Sequence, residues 1–209
     1  VYLAEDLAGT KPIVANSGLK GFQPSAQPLL ATGKVRFVGE MLAMCVAPTR
    51  AEAEDLAAAV ELDIDPLPAV HDMLAALAPD APRIHEHWKD NAFLETLVDA
   101  DLADVKAKAA IKVTRRIRTA RQSMAPMEGR GALAFYDRRL DQLTVYASDQ
   151  MPHITRTGLS ECLGIDHGRI RVISPDVGGG FGYKAILLPE VVCVAWLAMK
   201  HRKPFRYIE

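Results

Sequence analysis

Residues 169–201 read RIRVISPDVGGGFGYKAILLPEVVCVAWLAMKH. RIRVIS has the β-branched alternation of a strand, and the apolar run that closes the stretch has the length and composition of a helix. The reading gives a strand, a glycine loop at VGGGFGYK, and a helix over Leu188 to His201 with Pro189 in its first turn. Glycine permits positive φ and lets backbone N–H groups approach a ligand with no Cβ in the way. Near a helix N-terminus, consecutive N–H groups can hold a phosphate or a metal oxo group. Two common phosphate loops fail on register. Lys184 is followed by Ala185 where a Walker A loop needs Ser or Thr, and five residues separate it from Gly178. A GxGxxG fingerprint starting at Gly178 would need glycine where Tyr183 stands. Two uses remain, a turn that merely joins strand to helix and a ligand-binding loop. Phe181 favours the second, because a large apolar side chain in the loop can exclude water or wall a cofactor.

Upstream of this loop, Gly131 to Asp137 and Gln142 to Ser148 read as two strands joined by the polar turn Arg138 to Asp141. A helix is expected from about Pro152 to Leu163, and PFRYIE reads as a final strand that stops abruptly at Glu209, which suggests a truncated chain. Earlier still, Val35 to Val38 and Met41 to Ala47 read as strands. Thr49 then N-caps a helix, with Glu52 completing a capping box and Ala53, Leu56, Ala57 and Val60 on one face. ELDID at 61–65 alternates as a strand until Pro66 and Pro68 stop it. HDMLAALA reads as a short helix, residues to about 107 as a connecting segment wrapped over a surface, and IKVTRRIRTA as an alternating strand. The first thirty residues look like extended loop.

Composition narrows the function classes. The 209 residues are 49% hydrophobic and 24% charged, enough apolar material for a sizeable core, and a net charge of −1 offers no global attraction to nucleic acid or an anionic membrane. The basic run Lys112, Arg115, Arg116, Arg118 and Arg121 follows Asp99, Asp101 and Asp104 and has no interleaved aromatics, so a solvated strand face explains it better than a nucleic-acid patch. Cys45, Cys162 and Cys193 form no CxxC pair, which argues against a zinc ribbon or a cysteine-ligated cluster within these residues and fits a reducing, cytoplasmic compartment. The segment VYLAEDLAGTKP has no signal-peptide pattern, and the apolar stretch Ala185 to Met199 is too short to span a bilayer. His85 and His87 form the one close histidine pair and read as surface residues.

Four segments together resemble one family. VRFVGEMLAMCVAPTRAEAEDLAAAVELDIDPLPAV (35–70) is similar to the hammerhead-shaped α/β domain of the molybdenum hydroxylases, the group of xanthine dehydrogenase, aldehyde oxidase and aerobic carbon monoxide dehydrogenase. Met127 to Gly131 resembles its MEPRG segment, with Gly129 in place of proline. Ala147 to His153 resembles its STQxPH segment, with Asp149 in place of threonine. PDVGGGFGYK is the fourth, and order and spacing match over about 30–209.

The resemblance implies an α+β fold: a hammerhead domain over 1–75, a linker over 76–107, and the first part of a molybdopterin-binding domain over 108–209. It implies a molybdopterin cofactor whose metal is held by the pterin dithiolene rather than by side chains, so that the protein acts through hydrogen bonds to the metal's oxo and sulfido groups. Gln150 would bring its side-chain amide to the oxo group. Gly179, Gly180, Phe181 and Gly182 would border the metal and the pterin. Glu128 and Arg130 are expected as a structural pair holding the loop, and His153 as a helix N-terminal residue. The intact enzyme would hydroxylate an aldehyde or an N-heterocycle, or oxidise carbon monoxide, passing electrons to FAD-binding and 2Fe–2S partners or domains. Ala185 stands where purine-oxidising members carry a substrate-facing glutamate, and the segment with the catalytic glutamate is missing, so no catalytic residue is expected here and the fragment alone should be inactive. The competing reading is a hammerhead-like binding module with no cofactor of its own.

Overall fold

The strand pair that carries the fold is written in its alternation. Strand β3 (Gly131–Asp137) buries Ala132, Ala134 and Tyr136 and leaves Leu133 exposed, while β4 (Gln142–Ala147) buries Leu143, Val145 and Ala147 and exposes Tyr146. They pair antiparallel from Ala132 opposite Ala147 to Asp137 opposite Gln142. Asp137 Oδ1 closes the turn by accepting from the N–H groups of Arg139 (2.8 Å) and Leu140 (3.3 Å). Asp141 takes a positive φ of 50°, and its carboxylate meets the Tyr136 hydroxyl and the Arg169 guanidinium.

A computed structural model describes residues 1–15, 17–97 and 101–209. Helix α3 (Pro152–Leu163) follows β4, opened by Pro152 and closed by Gly164 in the left-handed region. It returns the chain to β5 (Ile170–Ile173), which pairs parallel with β4. After the glycine loop, α4 (Pro189–His201) leads to β6 (Phe205–Ile208), antiparallel to β3. The sheet order is β5-β4-β3-β6. Thr155, Leu159 and Cys162 form the buried stripe of α3 at helical spacing. Helix α4 packs on β3, β6 and α3 and is buried almost all round, with Val192, Cys193, Ala195 and Ala198 at its centre. Leu143, Leu159, Val145 and Val192 are fully enclosed, each burial favouring the fold by about 1.5–3 kcal/mol. From Gly131 onward, strands β3 to β6 and helices α3 and α4 therefore follow the sequence reading, in an α+β arrangement.

The first half joins that same core through a few anchors. Leu7, Leu29, Leu30 and Met44 belong to the core cluster of α3 and α4. Tyr2 bridges Met44, meets Trp196 edge-on at 5.6 Å, and shares a 2.6 Å hydrogen bond with His201. Lys11 N–H donates to the Cys162 carbonyl at 2.8 Å. Strands β1 (Ile13–Ala15) and β2 (Ser25–Gln27) form a small separate ladder. The connecting segment is tied back onto residues 22–36: Trp88 is buried and donates from Nε1 to the Pro24 carbonyl at 3.1 Å, Gln23 bonds the carbonyls of Ala92 and Phe93, and Lys34 pairs with Glu86.

Several expected elements take other forms. Residues 35–38, 61–65 and 111–120 form no ladder, with Phe37 to Glu40 closing a turn (Glu40 N–H to the Phe37 carbonyl, 3.3 Å), and 41–47 contribute only the Met44 bridge. Alternation prepares a strand, but hydrogen bonds to a neighbour make one, and these segments find no such neighbour among the described residues. Helix α1 (Arg50–Ala58) carries the predicted capping box, Glu52 N–H to Thr49 Oγ1 (3.3 Å) and Thr49 N–H to Glu52 Oε2 (3.1 Å), yet buries none of its residues. The helix expected over 71–78 is a single 3-10 turn, Ala75–Leu77, preceded by Asp72, whose Oδ1 accepts from the N–H groups of Leu74 and Ala75. A short α2 (Ala103–Lys108) lies within the connecting segment. The accessible surface of 15262 Å² far exceeds the roughly 9,600 Å² that size scaling gives a folded monomer of this length. Leu62, Ile64, Leu67, Ile111, Val113 and Ile117 account for part of that excess, standing open to water. No helix among the described residues is long and apolar enough to cross a membrane.

Candidate functional site

The loop between β5 and α4 folds back on the start of α3. Gly179 (φ 99°), Phe181 (φ 55°) and Gly182 (φ 86°) all lie in the left-handed region, where only glycine sits without strain. Phe181 is the exception, and the residue is 72% exposed. A non-glycine residue held there with its apolar face in water marks a position shaped for something other than this chain's own core. At Gly180 the φ is ordinary and the constraint is space: an added Cβ would lie 2.4 Å from Cδ and Oε1 of Gln150.

Gln150 is thus seated directly against the loop. Its own N–H donates to the Lys184 carbonyl at 2.9 Å, and its Oε1 accepts from the N–H groups of Gly182 (3.0 Å) and Lys184 (3.3 Å). Both partners are donors, so the amide oxygen must face the loop and the Nε2 group must face away. Among the described residues, neither Nε2 nor the N–H groups of Gly179, Gly180 and Phe181 has a protein acceptor. An amide NH2 and three backbone N–H groups of the adjoining loop are therefore left without a protein acceptor. That donor set fits an oxygen-rich anionic ligand such as a metal oxo group or a pterin phosphate. Gln150, Gly179, Gly180, Phe181 and Gly182, separated by up to 32 residues in sequence, share this one place.

The support beneath it differs from the expected Glu128–Arg130 pair. Glu128 accepts from the Ser148 hydroxyl, from Gly178 N–H (2.9 Å) and from Lys184 Nζ (2.7 Å). The side chain of Lys184 has no exposure at all. Lys184, with Ser148 and Gly178, pulls the Glu128 carboxyl down to about 2. Arg130 turns the other way, to Glu209 (2.7 Å) and Glu190 (3.2 Å), with its guanidinium 4.8 Å over the Tyr183 ring. Burial disfavours the Arg130 charge, but these two carboxylates outweigh it and raise its pKa. Arg130 first, and the Tyr183 hydroxyl after it, hold Glu209 at about 2 against the cost of burial. Each acid holds the loop, but through separate partners.

Asp149, where the family has threonine, is buried and accepts from Met151 N–H (2.7 Å) and the Thr155 hydroxyl, so its charge lies at the start of α3. His153 occupies the first turn of α3, as expected. His87 is exposed, but His85 is half-buried with its ring 4.2 Å from Trp88, and burial lowers its pKa. No cluster of three metal-ligating side chains occurs among the described residues. The basic run at 112–121 is exposed and lies in no strand. Asp99, read as its acidic counterweight, lies outside the described residues. Sequence reasoning assigns no supporting role to Lys184, Glu190 or Glu209. A lysine set among AILL residues is a signal of a buried, paired cation, whereas nothing local marks the two glutamates.

Residues 84–209 match the family model described as the molybdopterin cofactor-binding domain. The chain is 37% identical over 94% of its length to the nicotine 6-hydroxylase large subunit of Paenarthrobacter nicotinovorans, and 32% identical over 87% to the carbon monoxide dehydrogenase large chain of Hydrogenophaga pseudoflava. Each match covers 24% of the relative, so the chain spans about a quarter of their length. The crystal structure of quinoline 2-oxidoreductase from Pseudomonas putida 86 superposes over all of this chain and 27% of its own, with 39% identity and a TM-score of 0.92. With the family model covering well over half of its residues, the chain belongs to the molybdopterin cofactor-binding domain family of the molybdenum hydroxylases.

Proposed function

We propose that this chain forms one wall of the molybdopterin site of a larger molybdenum-dependent oxidoreductase. The observation that carries the proposal is the orientation of Gln150. Two loop N–H groups fix its oxygen, so its NH2 group is presented as a donor beside the free N–H groups of Gly179, Gly180 and Phe181. The bound cofactor would supply two-electron oxidation at carbon with oxygen drawn from water. The chain's own contribution is positional: Gln150 would donate to a metal oxo group without ligating the metal, the loop N–H groups would hold the oxygen-rich ligand, and the exposed Phe181 ring would wall it from water.

An N-heterocycle is the favoured substrate class, because the relatives named for nicotine and quinoline are 37% and 39% identical to this chain over the segment they match. Ala185 places no acid beside the loop for a purine. Aldehydes and carbon monoxide are the other substrate classes. Electrons would leave through 2Fe–2S and FAD centres on partner subunits or further domains. Residues 1–75 are read as a hammerhead-type domain, 76–107 as a linker, and 108–209 as the first part of the cofactor domain. The open apolar positions at 62–67 and 111–117 are read as surfaces covered in the larger protein.

Metal and pterin analysis of the full-length protein tests the assignment. Molybdenum and pterin in near-equal amounts are expected, and a folded protein lacking both would instead be the non-catalytic binding module. The isolated 209-residue chain is expected to show no turnover, and molybdenum-dependent oxidation by it would overturn that expectation.

A further inference from the structure

The amide of Gln150 can present its donors only if the loop that holds its oxygen stays in place, and the two ends of that loop meet on one carboxylate, Glu128. Glu128 Oε2 takes the N–H of Gly178, where the loop begins. Glu128 Oε1 takes the ammonium of Lys184, where the loop ends, together with the hydroxyl of Ser148 at the end of β4. Gly178 packs so closely that an added Cβ would lie 2.7 Å from Glu128 Cβ. Lys184 in turn is bonded twice to Gln150 through its backbone, N–H to Oε1 and carbonyl from the Gln150 N–H. Its ammonium, with no exposed surface, has Glu128 as its charge partner.

We infer that the Glu128–Lys184 ion pair is a positioning clasp that sets the direction of the Gln150 amide toward its ligand. The inference rests on the cofactor reading of Gln150 given above. Only a carboxylate can serve both arms of the clasp. It accepts at Oε2 from a backbone N–H and at Oε1 from an ammonium and a hydroxyl. An amide at position 128 has one accepting atom. In one orientation its NH2 group meets the Gly178 N–H, and in the other it meets the Lys184 ammonium. Either way one end of the loop is released while the size of the side chain is kept. Glu128 and Lys184 touch no reacting atom on this account, and both act through Gln150.

The test is a double-substitution cycle in the full-length holoenzyme, with Glu128→Gln, Gln150→Ala and both together, read as kcat per molybdenum on an N-heterocyclic substrate and as hydrogen exchange at Gly182, whose N–H is held by Gln150 Oε1. Glu128→Gln should speed that exchange in the wild-type background and not in the Gln150→Ala background, and unchanged exchange overturns the clasp. Supporting residues of this kind change activity by about 10–100-fold, and E128Q is expected to lower kcat by at least the lower figure at unchanged molybdenum content. In the Q150A background E128Q should have little further effect, because the group it positions is gone. A merely structural role would lower kcat by the same factor in both backgrounds, and that outcome overturns the clasp. If E128Q does not accumulate as folded protein, Ser148→Ala, which removes a donor from the same carboxylate without stranding Lys184, is read in the same cycle with the same two outcomes. A wild-type protein without molybdenum would overturn the cofactor reading instead. Molybdenum present with additive effects overturns the clasp alone.

Discussion

Gly180→Ala tests the seating of Gln150 without touching any hydrogen-bonding atom. The added Cβ would lie 2.4 Å from Cδ and Oε1 of Gln150 and 2.7 Å from Cγ, and the backbone φ at this glycine needs no special freedom. All three obstructing atoms belong to a flexible, exposed side chain, so the chain relieves the clash by swinging Gln150 away rather than by deforming the loop. The N–H groups of Gly182 and Lys184 then lose their acceptor. At about 0.5–1.5 kcal/mol net per hydrogen bond, each amide should lose about 2-fold to 13-fold of its protection from exchange. Hydrogen exchange read at these two residues measures that directly, and global stability should hardly change. Gln150→Ala should produce the same loss, and Gly180→Ala should add nothing to it, since Cγ, Cδ and Oε1 are all absent. Wild-type exchange at Gly182 and Lys184 in the Gly180→Ala protein would refute the seating. So would a further acceleration of exchange in the Gln150→Ala background.

Trp88→Ala should cost about 3–5 kcal/mol of local packing, because the indole is buried, donates to the Pro24 carbonyl and carries the His85 ring. Tryptic cleavage at Lys89 should quicken, and an unchanged rate would show that residues 84–93 are held by other contacts. Alkylation at pH 8 should reach half-buried Cys45 before Cys162 and Cys193, which are buried, with the Cys193 thiol pushed up to about 12 by burial. Peptide mapping that finds Cys193 first would contradict the packing of α4. The Glu128 carboxyl, held near 2 against an ordinary 4.5, has a depressed folded pKa. Its contribution to the loop is therefore complete above about pH 4.5 and lost as pH falls toward 2. Pepsin should cut between residues 178 and 184 readily at pH 2 and slowly at pH 4. Equal cutting, after correction for pepsin activity, would mean the carboxylate does not close the loop.

What the sequence made legible was whatever is local. Pro152 and Gly164 bracket α3, Pro189 opens α4, and alternation through β3 and β4 buries the residues it names. The same alternation at 111–120 and 61–65 gave no strand, because a ladder needs a neighbour that periodicity cannot supply. At the site, the glycine run declared the loop, and the family resemblance singled out Gln150. The clasp beneath was hidden by distance. Glu128 and Lys184 lie 56 residues apart, and the nearer candidate partner, Arg130, is taken by Glu190 and Glu209. Charge pairing across a fold is chosen by geometry, which sequence spacing does not record.

A crystal structure of the full-length protein with its cofactor measures the central claim directly, as the separation between Gln150 Nε2 and the nearest oxygen on molybdenum. A hydrogen-bond distance, about 2.7–3.2 Å, with Phe181 beside the metal, is the predicted result. Molybdenum bound elsewhere, with Nε2 facing only water, would contradict the account.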